Sequence, residues 1–197
     1  VTETASRPRR RADAERSIAR IVSAARERLS RDPAASIDDI AEAAGVGRMT
    51  LYGHFRTRAE LVEAALADAL RAGEEVLSKV DLTGDARTAM SRLLASSWGV
   101  IEESAMLLVA AQAVLPESRI RELHDNPAQR VEELIRRGQH DGVFRTDLPL
   151  TWLVNVVQHV LHGMVEEIRS GRVNTEDAPR LATATVQAIL AVQPTAG

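Results

Sequence analysis

The stretch Ser36–Leu61, SIDDIAEAAGVGRMTLYGHFRTRAEL, decides how this chain is read. Ser36 with Asp39 fits an N-cap whose first turn carries acid, where the helix dipole favours anions. Ile37, Ile40, Ala41 and Ala44 recur at helical spacing and define one apolar face. Gly45 supplies the left-handed residue that ends a helix. Arg48–His54 follows as a second short helix, with Leu51 and Phe55 facing inward. Thr57 and Glu60 form a capping box for a third. A small residue at Ala41, the turn glycine and an aliphatic anchor at Leu51 make the pattern of a helix-turn-helix. The side chains left outside on the second helix are Arg48, Met49, Thr50, Tyr52 and His54, which suit base edges and phosphates.

The series Ile40-Ala41, Ala44-Gly45-Val46, Thr50-Leu51-Tyr52, His54-Phe55 and Leu61 resembles the DNA-binding domain of the tetracycline-repressor-like (TetR/AcrR) regulators, over roughly residues 13–62. Gly47 departs from the serine common there and gives the second helix a poorer cap. Arg58 departs from the usual lysine, keeping the charge with a different donor geometry. The resemblance implies DNA contacts from Arg48, Met49, Thr50, Tyr52, His54, Arg58 and Ser36. Arg48 is the candidate for guanine readout, with a phosphate contact as its alternative. For Tyr52 the alternative is packing on the first helix, and for His54 capping of its own helix.

Composition bounds the rest. The chain has 197 residues, 45% hydrophobic, and no cysteine, so disulfides and thiolate metal sites are excluded. Residues 1–60 hold 12 Arg against 9 Asp and Glu, a balance of +3 within a total of −3. The basic end coincides with the helix-turn-helix, as phosphate binding needs. No apolar run reaches the roughly 18 residues that span a membrane. The N-terminus is polar and arginine-rich, unlike a secretory signal, and the expected location is cytoplasmic.

Two domains are expected: 1–61, the helix-turn-helix with a basic arm, and 62–197, a larger helical domain. Val1–Arg11 reads as either a solvated tail or an arm placing Arg10 and Arg11 on DNA. Ala12–Ser30 is an amphipathic helix with Ile18, Ile21, Val22, Ala25 and Leu29 inside. Glu60 to about Lys79 is the helix linking the domains. Asp81–Asp85 breaks it. Helices are then expected over Ala86–Glu103, Ser104–Leu115, from Asn126-Pro127 onward, over Leu150–Ser170, and over Thr175–Val192 with Leu181, Thr185, Ala188, Ile189 and Val192 inside. No strand-like alternation is long enough to count. The fold class is all-α.

By resemblance, the last two helices pair with their twins to make a homodimer. The larger domain is expected to enclose a small apolar or amphipathic effector near Met90, Leu94, Trp98, Met106, Gln112, Phe144, Trp152, Val156 and His159. His159, His162 and Glu166 share a helical stripe; a solvated or interface rim is the favoured reading, and no metal is assigned. No nucleophile motif, phosphate loop or zinc signature is present, so neither catalysis nor a cofactor is expected. The function that follows is a bacterial, ligand-responsive regulator, a repressor of a palindromic operator. The alternatives are an activator, or a small-molecule-binding or enzymatic helical protein whose N-terminal domain mediates protein contacts.

Overall fold

A computed structural model describes residues 6–193, apart from the side chains of 6–10 and 125–127. The described residues form helices α1 (Ser6–Arg31), α2 (Ile37–Ala43), α3 (Arg48–His54), α4 (Arg58–Leu77), α5 (Ala86–Gln112), α6 (Glu117–Leu123), α7 (Asp125–His140), α8 (Leu150–Arg169) and α9 (Ala178–Leu190). The fold is all-α; the one β-type pairing among them is an isolated bridge between Phe144 and Ala191.

The chain divides into two compact units. The first comprises residues up to Ala69 together with Met106–Ile120. Ile21, Ala25 and Leu29 of α1 are buried there with Ile40, Leu51, Leu61, Val62, Leu66 and Leu107. Arg58 donates from Nη1 to Ala35 O and from Nη2 to Pro33 O, at 2.5 and 2.8 Å, and so pins the turn that precedes α2. Arg119 clamps Glu63 through Nε and Nη2, at 2.8 and 2.6 Å, which ties α6 to α4.

The second unit is Leu70–Ala105 with the chain from Arg121 onward. Its core gathers Leu77, Met90, Leu93, Leu94, Val131, Ile135, Phe144, Leu153, Val157, Leu161, Val186 and Leu190. Phe144 is buried against Gly138, where a β-carbon would stand 2.0 Å from the ring. Only glycine lets the ring come this close to the α7 backbone. Arg87 donates to Val143 O at 2.7 Å, and Gln187 to Arg87 O at 2.8 Å, so α5, the loop after α7 and α9 are laced together.

Several elements differ from the sequence expectation. Helix α1 begins at Ser6 rather than Ala12; Pro8 lies in its first turn, where a missing N–H costs no hydrogen bond. Helix α5 is continuous across Glu103-Ser104, because Ser104 Oγ donates back to Val100 O at 2.7 Å and satisfies itself inside the helix instead of capping a new one. The joined helix is long and apolar enough to cross a membrane by length and composition, yet Met90, Leu93, Leu94, Leu107 and Ala111 are buried within the fold, as in a core helix. Helix α7 starts at Asp125 with His124 at the cap position, not with Asn126. Helix α9 turns a different face inward. Ala178, Ala182, Val186 and Leu190 are buried, whereas Thr185, Ala188 and Val192 are exposed. The terminal segment from Pro194 lies outside the described residues.

Candidate nucleic-acid interface and ligand cavity

Helix α2 is capped at both ends by its own sequence. Ser36 Oγ accepts from the Asp39 N–H at 3.1 Å, and Asp39 Oδ2 accepts from the Ser36 N–H at 2.9 Å. The Ser36 hydroxyl, which also donates to Asp39 Oδ2 at 2.6 Å, and after it the Ser36 N–H hold the Asp39 carboxyl below the usual aspartate range. At the other end Gly45 has φ +63°. Val46 N–H reaches Ala41 O and Gly45 N–H reaches Glu42 O, both at 3.0 Å. That pair of bonds is a Schellman ending, and it sets the angle at which the chain enters α3.

Helix α3 starts without a side-chain cap, since Gly47 at its N-cap offers no side-chain acceptor. Leu51 is fully buried and anchors it. Arg48, Met49 and Thr50 are exposed, Met49 to 83%. Tyr52 and His54 are half-buried. Arg48 Nη1 meets Asp38 Oδ2 at 2.5 Å, and its guanidinium carbon sits 5.5 Å from the Tyr52 ring centre. Acid and aromatic face together fix the direction of this cation.

At the start of α4, Thr57 Oγ1 accepts from the Glu60 N–H at 3.1 Å. Glu60 itself accepts from the Arg56 N–H at 2.7 Å, so the reciprocal half of the expected box lands one residue early. Ser36 has its hydroxyl committed to the cap, and Arg58 has two nitrogens committed to carbonyls; both position the motif in this conformation. Arg11 is exposed and pairs with Glu15 at 3.1 Å. The Arg10 side chain lies outside the described residues.

The second unit contains a cavity of about 100 Å³, which grows to about 760 Å³ only when the open space at its mouth is counted. Leu70, Gly73, Glu74 and Leu77 of α4 line it, with Leu93, Ser97, Val100, Ile101 and Ser104 of α5. His124, Arg130, Val131, Gln158, Leu161 and His162 complete it. Arg130 forms a two-pronged pair with Glu74, one prong at 3.1 Å. The His124 and His162 rings meet edge to face at 6.1 Å. Part of His162 reaches solvent, yet the surrounding protein holds it below the ordinary histidine value, and the like charges of His124 and His159 add to this.

None of the nine expected effector residues lines this cavity. Met90, Leu94 and Phe144 are packed in the core, and Trp98 is buried on α5. Met106 and Gln112 belong to the first unit. Trp152 is 57% exposed, Val156 half-buried, and His159 exposed with Nδ1 2.7 Å from Asn155 O. The cavity shares Leu77, Leu93, Val131 and Leu161 with the core and adds a strip of polar residues to them. The signal for that strip was Ser97 and Ser104, two turns apart on an apolar helix, and the i, i+4 pair Gln158 and His162. Among the described residues no three His, Asp or Glu gather as metal ligands; His162 faces His124 rather than closing a set with His159 and Glu166.

Residues 21–65, which contain the capped helix, the glycine turn and the exposed α3, match the family model for bacterial regulatory proteins, tetR family. This segment is a TetR-family DNA-binding domain. No curated protein matches the chain. Its fold is similar to that of solved structures across nearly its whole length. LfrR of Mycobacterium smegmatis in complex with proflavine is 20% identical, with a TM-score of 0.71 over 89% of this chain and 97% of that one. A transcriptional regulator of Saccharomonospora viridis in complex with choline is 18% identical, TM-score 0.74, over 89% and 98%. PfmR of Thermus thermophilus is 23% identical, TM-score 0.65, over 86% and 96%. At these identities the likeness of the chain to its neighbours is one of fold.

Proposed function

We propose that this regulator is a cytoplasmic repressor that binds a palindromic operator as a homodimer and is released by a small amphipathic molecule. DNA reading is assigned to residues 1–61; effector binding and dimerisation are assigned to 62–197. The observation that carries the proposal is α3 itself: a helix anchored by Leu51 that leaves Arg48, Met49 and Thr50 in solvent. Two such helices one DNA turn apart, roughly 34 Å, read a two-fold site.

The outward face of α9 supports the dimer. Thr185 and Ala188 are exposed, as is Val192 just past the helix end, and on α8 Trp152 is exposed beside half-buried Val156, Val160 and Met164. A second apolar face of this kind suits a twin helix pair. The cavity supports the effector. Operator and effector then weaken each other's binding by the same factor, since coupling between sites is reciprocal.

Selection of duplexes from a random pool, followed by titration at rising salt, tests this. The expected result is a palindrome bound by two chains with affinity falling steeply with salt. A bound site lacking two-fold symmetry, or a flat salt response, contradicts it.

A further inference from the structure

The polar groups of the cavity discriminate between ligand charges. Glu74 is the one carboxylate in the described lining, and Arg130 already neutralises it; their side chains are 33% and 18% exposed. With His124 and His162 neutral the lining carries no net charge, and with either protonated it is positive. The rest is aliphatic, as with Leu93, Ile101 and Leu161, and the only rings among the described lining residues are the two imidazoles. A quaternary ammonium is held by aromatic faces, which this lining lacks, and any cation here meets no unneutralised acid. Arg130 is neutralised in turn by Glu74, but a guanidinium fork can be shared between two carboxylates, whereas a cation finds no second acid beside Glu74 in the described lining. An incoming carboxylate also meets the His162 imidazole, able to donate an N–H, at the place where surrounding protein and like charge now disfavour protonation of the ring.

We propose that the cavity binds an aliphatic organic anion, its carboxylate seated on Arg130 beside His124 and His162 and its chain against Leu93, Ile101 and Leu161. This rests on the reading of the cavity as the effector site and names the chemical class it accepts. Glu74 acts as the internal competitor that holds Arg130 until the ligand arrives.

Calorimetric titration of the full chain near neutral pH with octanoate, octan-1-ol and octylamine tests the assignment, since the three differ in charge at matched length. Octanoate is expected to bind about tenfold tighter than octan-1-ol, with octylamine weakest. Glu74→Gln frees the guanidinium and tightens octanoate by a further factor of about ten. Arg130→Gln abolishes the preference and leaves Glu74 to favour octylamine. Because Arg130→Gln also strands a carboxylate, Glu74→Gln is the variant that decides, with its melting temperature compared to the parent's. Octan-1-ol or octylamine binding as tightly as octanoate overturns the anion assignment and leaves the effector site standing. Octanoate binding unchanged or weakened in a well-folded Glu74→Gln protein overturns the seat at Arg130. Failure of all three to bind overturns both the anion and the effector site.

Discussion

Arg48 and Asp38 are paired across the glycine turn, Nη1 to Oδ2 at 2.5 Å, with both side chains more than half exposed. The cation best placed for base readout is thus held by an acid of the preceding helix. An exposed pair adds less than about 1 kcal/mol to stability. On DNA, however, Asp38 both competes for Arg48 and repels phosphate. Asp38→Asn is expected to leave the melting temperature nearly unchanged and to raise operator affinity several-fold, read by fluorescence anisotropy. Unchanged or weaker binding assigns Asp38 to holding Arg48 in its reading geometry instead.

Gly47 leaves the first N–H groups of α3 without a side-chain acceptor, and a β-carbon there meets nothing within 4 Å. Serine fits the backbone, which is extended at φ −71°. Gly47→Ser is expected to stabilise the protein by a few tenths of a kcal/mol. Amide exchange should show Arg48–His54 less protected than Ile37–Ala43 in the parent, with the gap narrowing in the variant. Equal protection in the parent contradicts this account of the cap.

Gly138 and Gly99 test packing in opposite senses. A β-carbon at Gly138 collides with the Phe144 ring at 2.0 Å, whereas one at Gly99 meets nothing within 4 Å. Gly138→Ala is expected to destabilise by about 1–3 kcal/mol through overpacking. Gly99→Ala, in the interior of α5, should stabilise by up to about 1 kcal/mol. Urea unfolding of the two variants should move the midpoint in opposite directions.

Stability should fall in two stages as pH drops. His162 lies below the ordinary histidine value of 6.5 in the folded protein, so below that pH the unfolded chain takes up a proton that the folded one resists. The Asp39, Asp81 and Asp85 carboxyls lie below their ordinary 3.8, held respectively by the Ser36 hydroxyl, the Thr83 hydroxyl and the Thr88 N–H. Their contribution is present above that value and is lost as pH falls through it. His162→Gln should remove the first decline and keep the second, in urea midpoints measured from about pH 8 to 3.

What the sequence disclosed divides by the range of the forces involved. The cap at Ser36, the turn at Gly45 and the anchor at Leu51 are set by residues within a few positions of each other, and each has the structure its neighbours dictate. The inward face of α9 is not of this kind. ATATVQAIL offers apolar residues on two faces, and tertiary packing selects the one led by Ala182 and Val186, where a small residue admits the neighbouring helix. The continuity of α5 hinged on which way Ser104 directed its hydroxyl. The cavity was hidden for a related reason: Leu77, Leu93, Val131 and Leu161 serve both the packed core and the space, so apolarity does not separate the two. Ser97, Glu74 and Arg130 look like ordinary helix positions until α4, α5 and α7 are brought together.

The central claim, that Arg48–His54 reads DNA, meets its most direct test in the base preferences of the parent and of Arg48→Ala, each selected from the same pool of random duplexes. Loss of preference at one position per half-site, with affinity reduced by about 1–3 kcal/mol, is the predicted result. An identical consensus from both proteins would contradict it.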